Sequence, residues 1–242
     1  MDDVFETWRE RREREGPSVT LVDLYRMVAD GRGVQPADLP VNERRELWER
    51  AASTINPGIE FMVGSERPRE PIDVVPYDPA WPATFERWQA RLRSCLGDVA
   101  ARIEHVGSTS VPGLDAKPVV DIQVSVTDLH DEHRYVPGCE AAGLMFRLRD
   151  DAHRYFRPPF DQPRVVHVHV CAVASAWERD HLLFRDFLRT HPDARDAYAT
   201  TKHEAAALWR DDSMGYTEAK SDVILPILDA AKQWAQLAGW RV

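Results

Sequence analysis

The sequence predicts an α+β fold: a mixed β-sheet with flanking helices, a helical C-terminal tail and a small helical appendage at the N-terminus. Three observations carry this. Trp81, Phe85, Trp88 and Leu92 recur at spacings of three and four, the mark of an amphipathic helix. VVDIQVSV and VHVHVCAV alternate with the two-residue period of strands. Beyond Ala174 the pattern is helical to the end of the chain.

The elements follow in order. TWRERRERE alternates charges at helical spacing, which suits a solvated helix supported by i,i+4 pairs. Its acids nearly balance its arginines, so it does not read as a nucleic-acid arm. Ser18-Val19-Thr20 precedes LVDLYRMVA, an amphipathic run that Gly31 ends. A third helix is predicted over 40–54, with Val41, Leu47 and Trp48 apolar, and Asn56-Pro57-Gly58 stops it. These helices and the SERPREP run predict a helical extension over 1–70, joined by a linker to a main domain over 71–242. In the main domain a helix is predicted over 79–96, with Trp81, Phe85 and Trp88 as core. ARIEHV, VVDIQVSV and VHVHVCAV read as strands. Between the last two, Cys139 to Gly143 end a helix. LMFRLR and HRYFR then form a hairpin around Arg149-Asp150-Asp151, giving four or five strands in all. Arg154 and Arg157 read as surface arginines. The tail divides into helices over 177–190, 193–210 and 216–238, punctuated by His191-Pro192 and Ser213-Met214-Gly215.

Bulk properties exclude several function classes. With 242 residues, 43% hydrophobic and 29% charged, the chain reads as soluble and globular. No apolar run approaches the roughly 20 residues of a membrane helix. The N-terminus lacks the apolar core of a signal peptide, which predicts a cytoplasmic protein. The net charge of −9 argues against broad, sequence-independent binding to nucleic acid, which works by neutralising phosphates. A local basic pocket for one phosphorylated ligand remains compatible with it. Cys95, Cys139 and Cys171 are too few and too scattered for a disulfide framework or a zinc knuckle, and read as small buried hydrophobes.

The chemistry concentrates in HVGSTSVPGLDAKPVVDIQV, residues 105–124. A glycine after a strand lets another group approach the backbone closely. The serine and backbone N–H groups that follow can hold a phosphate oxygen. Residues two apart in a strand share a face, so Asp121 and Gln123 point the same way while Ile122 and Val124 point into apolar packing. If the turn of Gly107, Ser108 and Thr109 ends one strand and Asp121 lies on its neighbour, a phosphate cradle sits beside a carboxylate. That pair is a workable site for a metal–nucleotide complex. The bland reading gives Asp121 a turn to cap or Lys117 to pair with, and leaves His167 and His169 as the polar positions of a half-exposed strand.

This layout resembles the nucleotidyltransferase superfamily of the DNA polymerase β type, whose signature is Gly-Ser after a strand, then an acidic strand, then a third acid. More closely, VVPYDPAWPATFE, IEHVGSTSVPGLDAKPVVDI, HVHV, LLFRDFLRTHPDARDAYATTK and the later Tyr216 and Lys220 resemble the GrpB family, in that family's order over 72–234. The resemblance implies a nucleotidyltransferase-like fold. It implies a site in which Gly107, Ser108, Thr109, Lys117, Lys202 and Lys220 bind phosphate or nucleotide. Asp121, Gln123, His167 and His169 form its metal set, and Asp121 and His169 are catalytic. Gln123 stands where the superfamily has its second acid and is a poorer Mg²⁺ ligand, while VHVHV occupies the region of the third. Imidazole suits Zn, Mn or Fe better than Mg. The implied cofactor is a divalent metal, Mg or Mn, with Zn or Fe as alternatives.

The expected function is therefore transfer of a nucleotidyl group from a nucleoside triphosphate to a small acceptor. One alternative is a catalytically degenerate module binding a nucleotide or phosphorylated metabolite. Another is a metal-dependent hydrolase or ligase using His167 and His169. GrpB proteins also occur fused to dephospho-coenzyme A kinase, which hints at coenzyme A metabolism.

Overall fold

A computed structural model describes residues 2–56, 58–62 and 71–242. The N-terminal part holds three helices, α1 (Asp2–Glu15), α2 (Leu21–Asp30) and α3 (Val41–Ile55), then a two-residue strand β1 (Glu60–Phe61). The linker read at SERPREP falls almost wholly on 63–70, outside the described residues. After it come α4 (Trp81–Leu96), β2 (Arg102–Val106), β3 (Val120–Val126), α5 (Val136–Ala141), β4 (Met145–Arg149), β5 (His153–Arg157) and β6 (Val166–Ala172). The tail is α6 (Ala176–Thr190), α7 (Pro192–Leu208), α8 (Ser213–Glu218) and α9 (Ser221–Ala238).

The capping of α2 follows directly from its sequence. Thr20 accepts from the Asp23 N–H while the Asp23 carboxylate accepts from the Thr20 N–H, a capping box that satisfies two otherwise orphaned donors. Thr20→Ala is expected to cost about 1 kcal/mol, read as a fall of roughly 2–4 °C in melting temperature; an unchanged melt would show the cap to be idle.

The sheet is mixed, α+β as the sequence predicts, with six strands in the order β1-β4-β5-β6-β3-β2. Only β3 and β6 run parallel; the other neighbours are antiparallel. The sixth strand, β1, is too short to leave a periodic signature, and it joins the sheet edge by pairing Phe61 with Leu148. The tail departs from expectation at one point. The 216–238 helix is two helices, because Asp212 accepts from the Met214 and Gly215 N–H groups and starts α8 at Ser213.

The alternation sorts the two faces. Ile122, Val124, Phe156, Val168 and Val170 are fully buried and pack against Trp81, Leu92 and Leu96 of α4. Asp121, Gln123, His167 and His169 lie on the other face, which the tail and α3 cover. The N-terminal helices are seated on that tail: Phe5, Trp8, Leu21, Leu24, Tyr25 and Leu47 share one buried cluster with Ala205, Trp209 and Tyr216. Buried Arg44 ion-pairs with Asp211 at 2.8 Å and Asp212 at 3.0 Å. The Leu21 N–H donates to Glu218 Oε2 at 3.3 Å.

Three expectations are corrected by burial. Arg154 and Arg157 are not surface residues: both are buried, Arg154 against Glu132 and Arg157 over the Phe160 ring. A strand interior leaves no solvent-facing side here, so each guanidinium takes an acid, a carbonyl or a ring instead. Among the cysteines, Cys139 and Cys171 are buried and burial pushes their thiols up to about 12, but Cys95 is exposed. Among the described residues no helix is long and apolar enough to cross a membrane.

Candidate functional site

β2 ends at Val106, and Gly107 turns the chain with φ +67° and ψ −173°, a conformation almost confined to glycine. A short 3-10 turn over Ser108–Ser110 follows. A Cβ on Gly107 would lie 2.9 Å from the Asp121 Cβ and 3.0 Å from its Cγ. The missing side chain therefore lets the carboxylate lie against the turn. Behind it, Ser110 Oγ donates to the Gly107 carbonyl at 2.6 Å, and Arg189 of α6 donates twice to the Ser110 carbonyl. Arg185 donates to Glu104 and to the His105 carbonyl. These arginines staple the turn to α6. His105 sits beneath it, stacked on Phe85 and joined to Thr109 Oγ1 at 3.0 Å; burial pushes it down to about 4, so it is neutral.

Parallel pairing of β3 with β6 sets Asp121 beside His167 and Gln123 beside His169. The Asp121 Oδ1 is 3.0 Å from His167 Nδ1 and 3.9 Å from His169 Nε2. Arg164 donates to His167 Nε2 at 2.7 Å. A guanidinium only donates, so Nε2 is the acceptor and the proton sits on Nδ1, facing Asp121. Burial pushes His167 down to about 4 and lowers His169, leaving both rings neutral. Burial alone would raise Asp121, but its histidine hydrogen bonds hold it well below the usual carboxylate range. Asp121, His167 and His169 offer ligand atoms within 4.8 Å of one another. One carboxylate with two imidazoles is a donor set for a first-row transition ion. A cation on His167 Nδ1 would require the other tautomer and a new partner for Arg164.

These groups line a cavity of about 540 Å³, within the range of small-molecule pockets. Gly107, Ser108, Thr109, Lys117, Asp121, His167, His169, Lys202 and Lys220 all border it, so the structure brings together every predicted site residue except one. Gln123 is fully buried and does not border the cavity, and both polar atoms of its amide lack a hydrogen-bond partner among the described residues. It shares a face with Asp121 and lies in register with His169, but it is fully buried and stays out of the cavity that the other predicted residues line.

Two of the three lysines gather around one ring. Lys220 lies 4.5 Å and Lys117 5.5 Å from the centroid of Tyr216, which is buried. Lys202 lies 4.7 Å from the Tyr198 ring and donates to the Asp115 carbonyl. It is 1% exposed, and burial, then the charge of Lys220, lower it from 10.5 to about 7. The unfolded chain holds that proton up to about pH 10.5 and the folded chain only to about 7, so unfolding takes up a proton between them. Stability is therefore expected to rise with pH across that window. In Lys202→Met the contribution vanishes, and parallel slopes of melting temperature against pH for the two proteins would refute it.

Sequence reasoning missed the far wall. His153 and His169 stack at 5.5 Å, Trp177 lies 5.4 Å from His169, and Trp177 stacks on His181 at 3.6 Å. Tyr155 lies 5.3 Å from His167 and 5.2 Å from His169. A readable signal existed for one pair: His153 and Tyr155 are two apart in a strand and share a face. Arg164, His181 and Trp48 reach the cavity through tertiary packing alone.

The family profile described as GrpB protein matches residues 71–230. The chain belongs to the GrpB family. A UPF0157 protein of Pseudomonas aeruginosa is 44% identical over 165 residues, covering 66% of this chain and 67% of that one. The crystal structure of conserved protein GrpB from Enterococcus faecalis superposes with a TM-score of 0.60 at 31% identity, covering 67% of this chain and 99% of that one. A dephospho-CoA kinase of Mycolicibacterium paratuberculosis is 30% identical over 233 residues, covering 85% of this chain, which spans 56% of that longer protein. The GrpB match covers residues 71–230, whereas the 85% coverage exceeds what residues 71–242 could supply and so takes in residues before 71.

Proposed function

We propose that this GrpB-family chain is a metal-dependent nucleotidyltransferase. The turn at 107–109 and the three lysines hold the phosphates of a nucleoside triphosphate. Asp121, His167 and His169 hold a divalent ion, Mn²⁺ or Zn²⁺ in preference to Mg²⁺. An acceptor oxygen attacks the α-phosphorus, pyrophosphate leaves, and the acceptor's proton passes to solvent. The observation that carries this reading is the convergence of a glycine turn, one carboxylate, two neutral imidazoles and three lysines on one cavity. The ion would polarise the phosphate oxygens and the lysines would offset their charge.

One observation favours a second reading. Gln123 supplies no second carboxylate and does not border the cavity, which suits a module that binds a phosphorylated metabolite without turnover. Calorimetry with ATP and Mn²⁺, followed by a pyrophosphate-release assay, separates the two. Micromolar binding that chelator abolishes, with pyrophosphate released to an acceptor, is the expected result. Binding untouched by chelator and without release supports the second reading, and no binding at millimolar ATP defeats the first. Dephospho-coenzyme A belongs in the acceptor panel, given the kinases among the relatives. Zinc or iron retained through purification and a hydrolysed phosphate ester would instead favour a metal-dependent hydrolase built on the histidine pair.

A further inference from the structure

The cavity has a second end that the phosphate chemistry leaves unused. Trp48, Ala52 and Ile55 border it from α3, at spacings of four and three that put them on one helix face. Ile59 from the following turn and Leu148 of β4 border it too. Trp48 is half-buried, braced edge-on by Phe61 at 5.4 Å. Asn56 adds an amide at the same end.

Strand order gives the cavity a direction. Gly107 and Asp121 belong to β2 and β3, His167 and His169 to β6, His153 and Tyr155 to β5, and Leu148 to β4. Asp121 and Leu148 are thus three strand spacings apart, roughly 14 Å. The charged end and the apolar end of one cavity are separated by about the reach of an extended nucleotide from terminal phosphate to base. An alkyl tail would need only apolar walls. A base has apolar faces and hydrogen-bonding edges, which suits an indole beside an amide that both donates and accepts.

We infer that the N-terminal helical unit is the base-recognition wall of the site: the nucleotide's base stacks at Trp48 between the α3 face, Ile59 and Leu148, with Asn56 at its edge. The inference rests on the proposed nucleotide reading and adds a substrate end contributed, Leu148 apart, by residues outside the stretch matched to the GrpB profile.

The test titrates the whole chain, with Mn²⁺ present, against ATP and against inorganic triphosphate. Trp48→Ala is expected to weaken ATP by about 5- to 100-fold, the worth of one base–aromatic stack, and to leave inorganic triphosphate unchanged. Ile59→Ser is expected to weaken ATP several-fold. Ile59 lies outside the buried clusters, so this variant decides the matter if Trp48→Ala does not fold. Unchanged ATP affinity in the folded variants, or equal losses for both ligands, overturns the inference while the phosphate site stands. Tighter, Trp48-dependent binding of an acyl phosphate than of ATP overturns the base assignment. If the wild-type protein binds neither ligand, the nucleotide reading falls and takes the inference with it.

Discussion

Asp121→Asn is expected to lose Mn²⁺ or Zn²⁺ binding by at least about a hundredfold, since even partners outside the coordination sphere are worth 10- to 100-fold. The amide is neutral, so the one anion among the three ligands disappears. His167 presents an N–H toward position 121 because Arg164 occupies its other nitrogen. The amide therefore turns its oxygen to His167 and sets its NH₂, a donor, in the place of the second carboxylate oxygen beside the Gly107 turn. Turnover should fall with the metal. The fold should lose a little too, because the folded surroundings that hold Asp121 well below the usual carboxylate range favour its charge, and the melting temperature is expected to fall by a few degrees. Metal titration by calorimetry with a parallel thermal melt makes the check. Metal affinity within threefold of wild type would remove Asp121 from the site.

Gly107→Ala is expected to damage fold and site together. The φ/ψ region occupied by Gly107 costs other residues about 1–3 kcal/mol. The new methyl would also press on the Asp121 side chain at 2.9 and 3.0 Å. Relief comes either from the turn, which Ser110 and Arg189 hold, or from the carboxylate. A loss of about 5–10 °C in melting temperature is expected at the usual scaling for a chain of this size. Metal affinity should fall in the surviving folded fraction. A wild-type melt would mean that the turn accommodates a side chain and that its glycine serves no close approach.

Much of this fold is legible before any coordinates. VVDIQVSV and VHVHVCAV announce strands through their period, and the same period puts Asp121 with Gln123 and His167 with His169. It does not disclose that the two strands are parallel neighbours, because pairing depends on the intervening helix and hairpin. Period also says nothing about depth. Gln123 shares the face of Asp121 yet is fully buried and does not border the cavity. Lys202 and Lys220 stand out through resemblance to family strings, not through helical pattern: an exposed lysine and one that is 1% exposed read identically on a helix. Arg164 and Trp48 leave no trace, since one acts from a loop and the other from a helix that reads as an appendage. Arg154 and Arg157 are missed for the converse reason: charge suggests solvent, and burial beside acid and aromatic partners overrides it.

The hydrogen bond from Leu21 to Glu218 joins positions 197 apart along the chain. A ribosome making this protein therefore releases α3 before Asp121, His167 and His169, and Lys202 and Lys220 after them. The apolar face of α1, α2 and α3 stays uncovered until Trp209 and Tyr216 are made. Long-range closure of this kind is slow and leaves intermediates open to aggregation. A stalled or clipped chain that stops before position 202 would carry the histidine pair without Lys202 and Lys220.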